Sequence, residues 1–205
     1  RLAPHPLQSW EWGEFRETTG VEVERLIGFD GSEMKGVMQV TFHPIPHTGR
    51  TVGYYPKGHM PTDSELKALE ELGKIHKAIF IKMEPNISSP PFQKEAVEEV
   101  RSYLTKNGCE EGRPLFTPYS FILDLNSSED EIFNNMKNKT RYNIGVAEKH
   151  NVKVMEDGTD QGFAEYLELL RLTTERQKFY AHTERYQKNM WKFMRAAGIA
   201  TLLKA

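Results

Sequence analysis

The chain has 205 residues, a formal net charge of −2, 38% hydrophobic and 27% charged residues, which is enough for one full domain or two small ones with a real core and excludes a disordered chain. The single cysteine, Cys109, excludes an internal disulfide and a cysteine-based zinc cluster, and a reducing, cytoplasmic setting is expected. No apolar run approaches the ~18 residues of a bilayer span, and the opening RLAPHPLQSW lacks the apolar stretch of a secretory leader. The first residue is not Met, as expected of a processed or trimmed piece.

In chain order, Gln8–Arg16 reads as a short helix capped by Ser9. Val21–Phe29 and Gly36–Phe42 alternate apolar and polar residues around Asp30-Gly31, the strongest hairpin signal present. Arg50–Tyr55 predicts a third strand, ended by Pro56. Thr62–His76 has helical spacing (Leu66, Leu69, Leu72, Ile75) behind a Thr62/Glu65 capping box. Ala78–Glu84 predicts a strand closed by Pro85, and Phe92–Asn107 a helix ended by Gly108. Cys109–Pro118 has the composition of a linker. Beyond it the pattern predicts a strand at Ser120–Leu125 and a helix from Ser127 or Ser128 to Met136. A further helix, Thr140–His150, is weakened by Gly145. A strand at Val152–Met155, helices at Phe163–Gln177 and Arg185–Ala197, and a strand beginning at Ile199–Lys204 complete the pattern. The fold class is α+β, or mixed α/β, with a seam near 110–118 and an incomplete second unit.

Charge is unevenly spread. Residues 134–153 carry Lys137, Lys139, Arg141, Lys149 and Lys153 against Glu148. Residues 168–195 carry Arg171, Arg176, Lys178, Arg185, Lys188, Lys192 and Arg195 against Glu168, Glu175 and Glu184. Each stretch is therefore net +4, on an otherwise acidic body. Such a region either meets a polyanion or forms solvated helix faces.

Dinucleotide and Walker phosphate loops are absent, as is H-E-x-x-H. The seven histidines are scattered, His43 and His47 in a Pro-rich turn, and neither a metal nor a cofactor is expected. Arg195–Ala200 fits the R-x-x-G-x-A loop of acetyl-CoA-dependent acetyltransferases. That loop must open a helix to present N–H groups to phosphate, and here it closes one.

Three stretches stand out. Leu7–Arg16 (LQSWEWGEFR) is aromatic-rich, with Trp10 and Trp12 suited to packing. Gly53–Gly58 (GYYPKG) holds Lys57 in a tight Pro/Gly turn, placed to meet an anion. Lys137–Ile144 (KNKTRYNI) interleaves cations with Asn and Tyr, which suits phosphate contacts and stacking or a solvated helix. Together, in order and over nearly the whole chain, they resemble the Fem-type peptidyltransferases (the FemXAB family). Glu175–Phe179 with His182 and Tyr186 resembles a later family stretch. The sequence departs from the family at Gly145 and at His59, which stands where the family has proline.

The resemblance implies two N-acetyltransferase-like (GNAT-like) lobes: 1–115 on the precursor-binding side, and 116–205 as the start of a second, truncated one. It implies an aminoacyltransferase that moves glycine, alanine or serine from aminoacyl-tRNA to the stem-peptide amine of a peptidoglycan precursor. The acceptor is lipid II or UDP-MurNAc-pentapeptide, with peripheral contact at the inner membrane face. Arg16 matches a position at the acceptor diphosphate. Lys57, Trp12, His182 and Tyr186 match the precursor side, with His182 or Thr183 at the family's basic position. Glu84 matches an acidic position facing the acceptor, where a carboxylate could take the amine's proton or simply sit in solvent. With such a donor, the cations Lys137, Lys139 and Arg141 are the residues expected to meet the tRNA. The family's later segments, which serve the aminoacyl end, are not among these 205 residues, as expected either of a fragment of a longer enzyme or of an inactive relative. The alternatives are an acyl-CoA N-acyltransferase of the same superfamily and a non-catalytic module binding tRNA or cell-wall precursor.

Overall fold

A computed structural model describes residues 3–30, 32–88, 94–117 and 119–205. The chain forms two compact units. The first comprises Arg1–Arg113 with His182–Ala200, and the second Pro114–Ala181 with Thr201–Ala205. A single division at 115 leaves out the return of 182–200 to the first unit.

The first unit is built on a four-stranded mixed sheet in sequential order: β1 (Glu22–Asp30), β2 (Glu33–Ile45), β3 (Arg50–Pro56) and β4 (Ala78–Glu84). The β1–β2 hairpin is antiparallel, with Asp30 opposite Glu33 and an irregularity at Gly28/Phe29; Gly31 of the expected turn lies outside the described residues. β2 runs well past the expected Phe42. Pro44 is accommodated there because β1 stops opposite Phe42, so only β3 pairs with that end. β3 and β4 are parallel, linked by α2 (Asp63–Ile75). The expected capping box is present: Thr62 accepts from the Glu65 N–H while the Glu65 carboxylate accepts from Thr62.

Strand alternation sorts β2 into two faces. Met38, Val40 and Phe42 turn to one side and form the core with Tyr55 and Leu69, joined by Leu66, Leu72, Ile81 and Met83. His76 closes α2 over this core. Its ring stacks on Phe42 at 4.0 Å, with Nδ1 2.7 Å from Glu22 and Nε2 2.8 Å from Glu24. On the other face lie Gln39, Thr41 and His43, covered by α1 (Trp10–Glu17). Gly13 permits this close approach, since a Cβ there would sit 2.2 Å from Gln39 Oε1. α7 (Glu184–Ala196) packs on α1.

Gln8, in a 3-10 turn over Pro6–Gln8, carries the junction between this segment and the sheet. The β2–β3 ladder is paired through Thr41–Tyr54. The next rung would join Gln39 to Pro56, which has no N–H to give. The buried Gln8 amide fills the gap, donating to Gln39 O (3.0 Å) and Pro56 O (2.7 Å) and accepting from Gln39 N (2.8 Å).

α3 (Lys94–Lys106) ends, as expected, before Gly108; Phe92 of the expected helix lies outside the described residues. The second unit holds α4 (Glu129–Asn135), α5 (Asn138–Lys149), α6 (Asp160–Gln177) and a two-residue antiparallel pair, β5 (Met155–Glu156) with β6 (Leu203–Lys204). Two expected strands shrink to this pair. The third, Ser120–Leu125, is not a strand. Phe121, Ile122 and Leu125 are exposed, because a strand needs a neighbouring edge and this segment has none among the described residues. No helix of the described residues is long and apolar enough to cross a membrane.

Gln8→Ala leaves three buried backbone groups unsatisfied. We expect a destabilisation of about 2–4 kcal/mol, read by calorimetry as a fall of roughly 5–15 °C in the first unit's Tm. A fall of less than about 1 °C would contradict the bridging role assigned to Gln8.

Candidate functional site

The α1–α7 pair assembles four of the residues singled out from sequence. Arg16, in the last turn of α1, donates from Nη1 to the Tyr186 hydroxyl at 2.9 Å. Its guanidinium lies 5.6–6.0 Å from the rings of Trp12, Phe15 and Tyr186. Phe15 is fully buried and meets Trp12 and Tyr186 edge-on at 5.3 and 4.8 Å. His182 stacks on Tyr186 at 3.9 Å. Thr183 is occupied as the N-cap of α7, accepting from the Tyr186 N–H, so His182 rather than Thr183 presents its side chain to this cluster. Arg16 Nε is buried without a hydrogen-bond partner. A guanidinium in an aromatic box with an orphaned donor is suited to an anionic or carbonyl-bearing ligand.

His43 belongs to β2 and not to the expected turn; only His47 lies there, with a left-handed φ of 63°. Burial, reinforced by the Arg16 charge, lowers the His43 pKa below its ordinary value. The ring is within hydrogen-bond reach of Thr41 Oγ1 at 3.0 Å.

A second group lies at the C-terminal ends of the parallel strands. Glu84, the last residue of β4, stands opposite Pro56 of β3 and accepts from the Tyr54 hydroxyl at 2.6 Å. Burial first, and then the bond and charge of Glu84, push the Tyr54 pKa far above its ordinary value, so the phenol stays a proton donor. Lys57 follows directly, at φ 53°, its N–H bonded to Glu84 O at 2.7 Å. The turn is tied again by Asn86 N to Gly58 O and by the Tyr55 hydroxyl to His59 O. Gly58 is required, since a Cβ there would lie 1.9 Å from the Tyr55 hydroxyl. Tyr54 is a site residue that the sequence reading misses; alternation along β3, which puts it on the Thr41 face, is the signal for it.

The third set lies in the second unit. Lys137 and Lys139 are exposed at the start of α5. Arg141 is folded back: its Nη1 donates to Asn134 O and Met136 O, both at 2.7 Å, and its Nη2 to Asn138. It ties the α4–α5 corner. Among the described residues, no group of three or more His, Cys, Asp or Glu side chains could hold a metal ion. The Arg195–Ala200 stretch does end a helix: Gly198 has φ 66°, with Ile199 N bonded to Met194 O. It presents carbonyls of a C-terminus, unsuited to a phosphate.

Arg16→Ala removes a nearby charge and opens the site to water. Both effects raise the His43 pKa, so its NMR titration moves to higher pH; a midpoint unmoved or lower would break the proposed pairing. A histidine whose pKa is lowered by folding contributes stability that is complete above its unfolded value of about 6.5 and is lost as pH falls through the folded one. Acidification from neutrality therefore weakens the first unit, and less so in the variant.

A model of the FemAB family matches residues 3–197. The lipid II:glycine glycyltransferase of Staphylococcus haemolyticus (strain JCSC1435) is 29% identical over 208 residues, covering 96% of this chain and 49% of the relative. That of Staphylococcus aureus is 27% identical with the same coverage. A crystal structure of FemX matches with a TM-score of 0.75 at 23% identity, covering 98% of this chain and 52% of that one, a likeness of fold. The chain spans about half the length of the curated relatives it matches. With the family model matching nearly all of the chain, in the stretch that contains Arg16, Glu84 and Tyr186, the chain belongs to the FemAB family.

Proposed function

We propose that the chain supplies the acceptor-binding side of an aminoacyltransferase that extends a peptidoglycan stem peptide from aminoacyl-tRNA. The transferred residue is glycine, alanine or serine, and the names of the staphylococcal relatives favour glycine and a lipid-linked acceptor. The two units are read as a GNAT-like lobe and the start of a second. The observation that carries the reading is the Tyr54–Glu84 pair, a carboxylate held by a phenol at the open end of two parallel strands.

The reaction needs little covalent help, because a tRNA ester is already activated. It needs a neutral amine close to the ester carbonyl. Glu84 accepts a proton from the acceptor ammonium. The freed nitrogen attacks the ester carbon, the amide C–N bond forms, the C–O bond to ribose breaks, and the ribose oxygen leaves as a hydroxyl on taking up a proton. Tyr54 holds the Glu84 carboxylate in one orientation. Lys57, beside Glu84, and the Arg16–His182–Tyr186 cluster bind the anionic and peptide parts of the precursor. Lys137 and Lys139 meet the tRNA backbone.

Glu84→Gln keeps the Tyr54 hydrogen bond and removes the base. Transfer of label from glycyl-tRNA to a lysine-containing precursor should fall by roughly 10²–10⁴-fold, with precursor affinity little changed. Retained transfer would sink the assignment, whereas precursor or tRNA binding without turnover in the parent chain would favour the binding-module reading. Lys137→Ala with Lys139→Ala should weaken tRNA binding and flatten its salt slope by roughly 0.7–0.9 for each phosphate no longer neutralised. An unchanged slope would return this helix start to a solvated face.

A further inference from the structure

The first unit holds a groove of about 1120 Å³ between α2 and β4, reaching the β2–β3 turn at Arg50 and the end of α3 at Cys109. Its floor is apolar, made by Leu66 and Leu69 of α2 and Phe80, Ile81 and Met83 of β4. Phe80 and Ile81 are consecutive, and strand alternation would send them to opposite faces. Ala78 stands opposite Thr51 and Ile81 opposite Gly53, so Ile79 and Phe80 are set against the single Val52. This bulge re-aims Phe80 into the groove. β4 is the last strand of its sheet, and Ile79 and Phe80 are 51% and 54% exposed. Farther along, Lys82 Nζ donates to Arg113 O at 2.5 Å, so a loop lies by the later part of the edge. An uncovered apolar edge is a template for pairing with another segment, and folded chains ordinarily protect it.

The rim is basic. Arg50, Lys67, Lys74 and Lys77 line the groove with two carboxylates, Asp63 and Glu70. Both carboxylates are engaged: Asp63 accepts from the Tyr103 hydroxyl at 2.7 Å, and Glu70 pairs with Lys74 at 3.0 Å. Lys74 is held by Glu71 as well, at 2.8 Å. Among the described residues, the exposed side chains of Arg50, Lys67 and Lys77 meet no carboxylate. Three uncompensated cations therefore stand around an apolar floor beside an open strand edge. A second copy of the chain would bring the same three cations against these, which disfavours self-pairing. A nucleic acid would meet the cations but leave aliphatic walls and the strand edge unused, since Phe80 is the only ring on the floor. The volume exceeds the ~300–1,000 Å³ of a small-molecule site.

We propose that this groove and the β4 edge bind an extended acidic segment of a partner protein, its apolar side chains on Leu66, Phe80 and Met83 and its carboxylates at Arg50, Lys67 and Lys77. Main-chain pairing along β4 would supply affinity, and the floor and rim would supply selection. Neither Arg16 nor Glu84 lines the groove, so docking there is independent of the transfer reaction proposed above.

The probe is a blocked octapeptide alternating glutamate and leucine, titrated calorimetrically into the 205-residue chain, with alkylation of Cys109, the single cysteine, as a second readout. It should bind at least about tenfold tighter than octapeptides alternating lysine with leucine or glutamate with serine, and it should slow Cys109 alkylation in step with occupancy. Lys67→Glu with Lys77→Glu should reverse the preference toward the lysine–leucine peptide. Phe80→Ser should remove most of the gain due to leucine while keeping the preference for acid. These three side chains are exposed, so the variants retain the fold. Equal affinity for the two leucine peptides, or affinity unmoved by both variants, would overturn the proposal. So would tighter binding of an oligouridylate than of the acidic peptide, which would make the groove a nucleic-acid surface, or sedimentation showing self-association that Phe80→Ser abolishes. A chain extended to the length of its relatives that neither binds the peptide nor exposes Cys109 to alkylation would assign the groove to the protein's own second half and overturn the proposal as well.

Discussion

The first unit depends on how its sheet ends between β2 and β3. Pro56 interrupts the ladder because it lacks an N–H, and the Gln8 side-chain amide takes the place of the missing rung. This fixes the N-terminal segment to the sheet one residue before Ser9, which caps α1. The start of α1 is thereby set against Gln39, and Gly13 lets the helix lie close enough for Phe15 to be buried. Arg16 then emerges beside Tyr186, while beyond Pro56 the chain is free to turn at Lys57 and leave Glu84 at a strand end.

The two groups of site residues are held differently, which suits different tasks. Arg16 is fixed by rings: Trp12, Phe15 and Tyr186 give its cation a polarisable surround, and one hydroxyl takes one of its five N–H groups. Such a site retains donors for a ligand. Glu84 is oriented by a short bond from Tyr54, and a carboxylate's two oxygens have acceptor capacity beyond one such bond with which to receive a proton. In the function proposed above, one cluster serves binding and the other proton transfer, and both are set by the α1 side of the same sheet.

Much of the fold was legible because local chemistry dictated it. The Thr62 capping box, the cap at Ser128 (one of the two serines expected), the Asp30 hairpin and the Gly198 helix end all appear where the sequence places them. The α1 motif and the Trp12, Arg16, His182 and Tyr186 positions came from resemblance, and the structure brings those four together. What was hidden is tertiary. Nothing local marks Gln8 as a surrogate strand rung, Tyr54 as the partner of Glu84, or His43 as neighbour to Arg16. Arg141 shows the limit of charge counting: the carbonyls at the end of α4 claim its guanidinium, leaving Lys137 and Lys139 as the exposed cations of that helix start. Ser120–Leu125 shows the same for strands, since alternation and β-propensity specify a strand only when an edge is there to receive it.

His59 ties the Lys57 turn to its surroundings by hydrogen bonds. His59 Nε2 meets the Glu65 carboxylate at 2.8 Å, its carbonyl takes the Tyr55 hydroxyl, and Glu65 is itself anchored in the α2 capping box. His59 therefore couples the Lys57 turn to the start of α2 and, through Tyr55, to the core. A left-handed lysine carries a conformational cost that its surroundings must offset. Bonds on both sides of Lys57, from its own N–H to Glu84 and from Asn86 to Gly58, supply that offset. The Lys57 backbone is thus fixed beside that of Glu84 before any ligand arrives, as the anion-binding role proposed for this lysine requires.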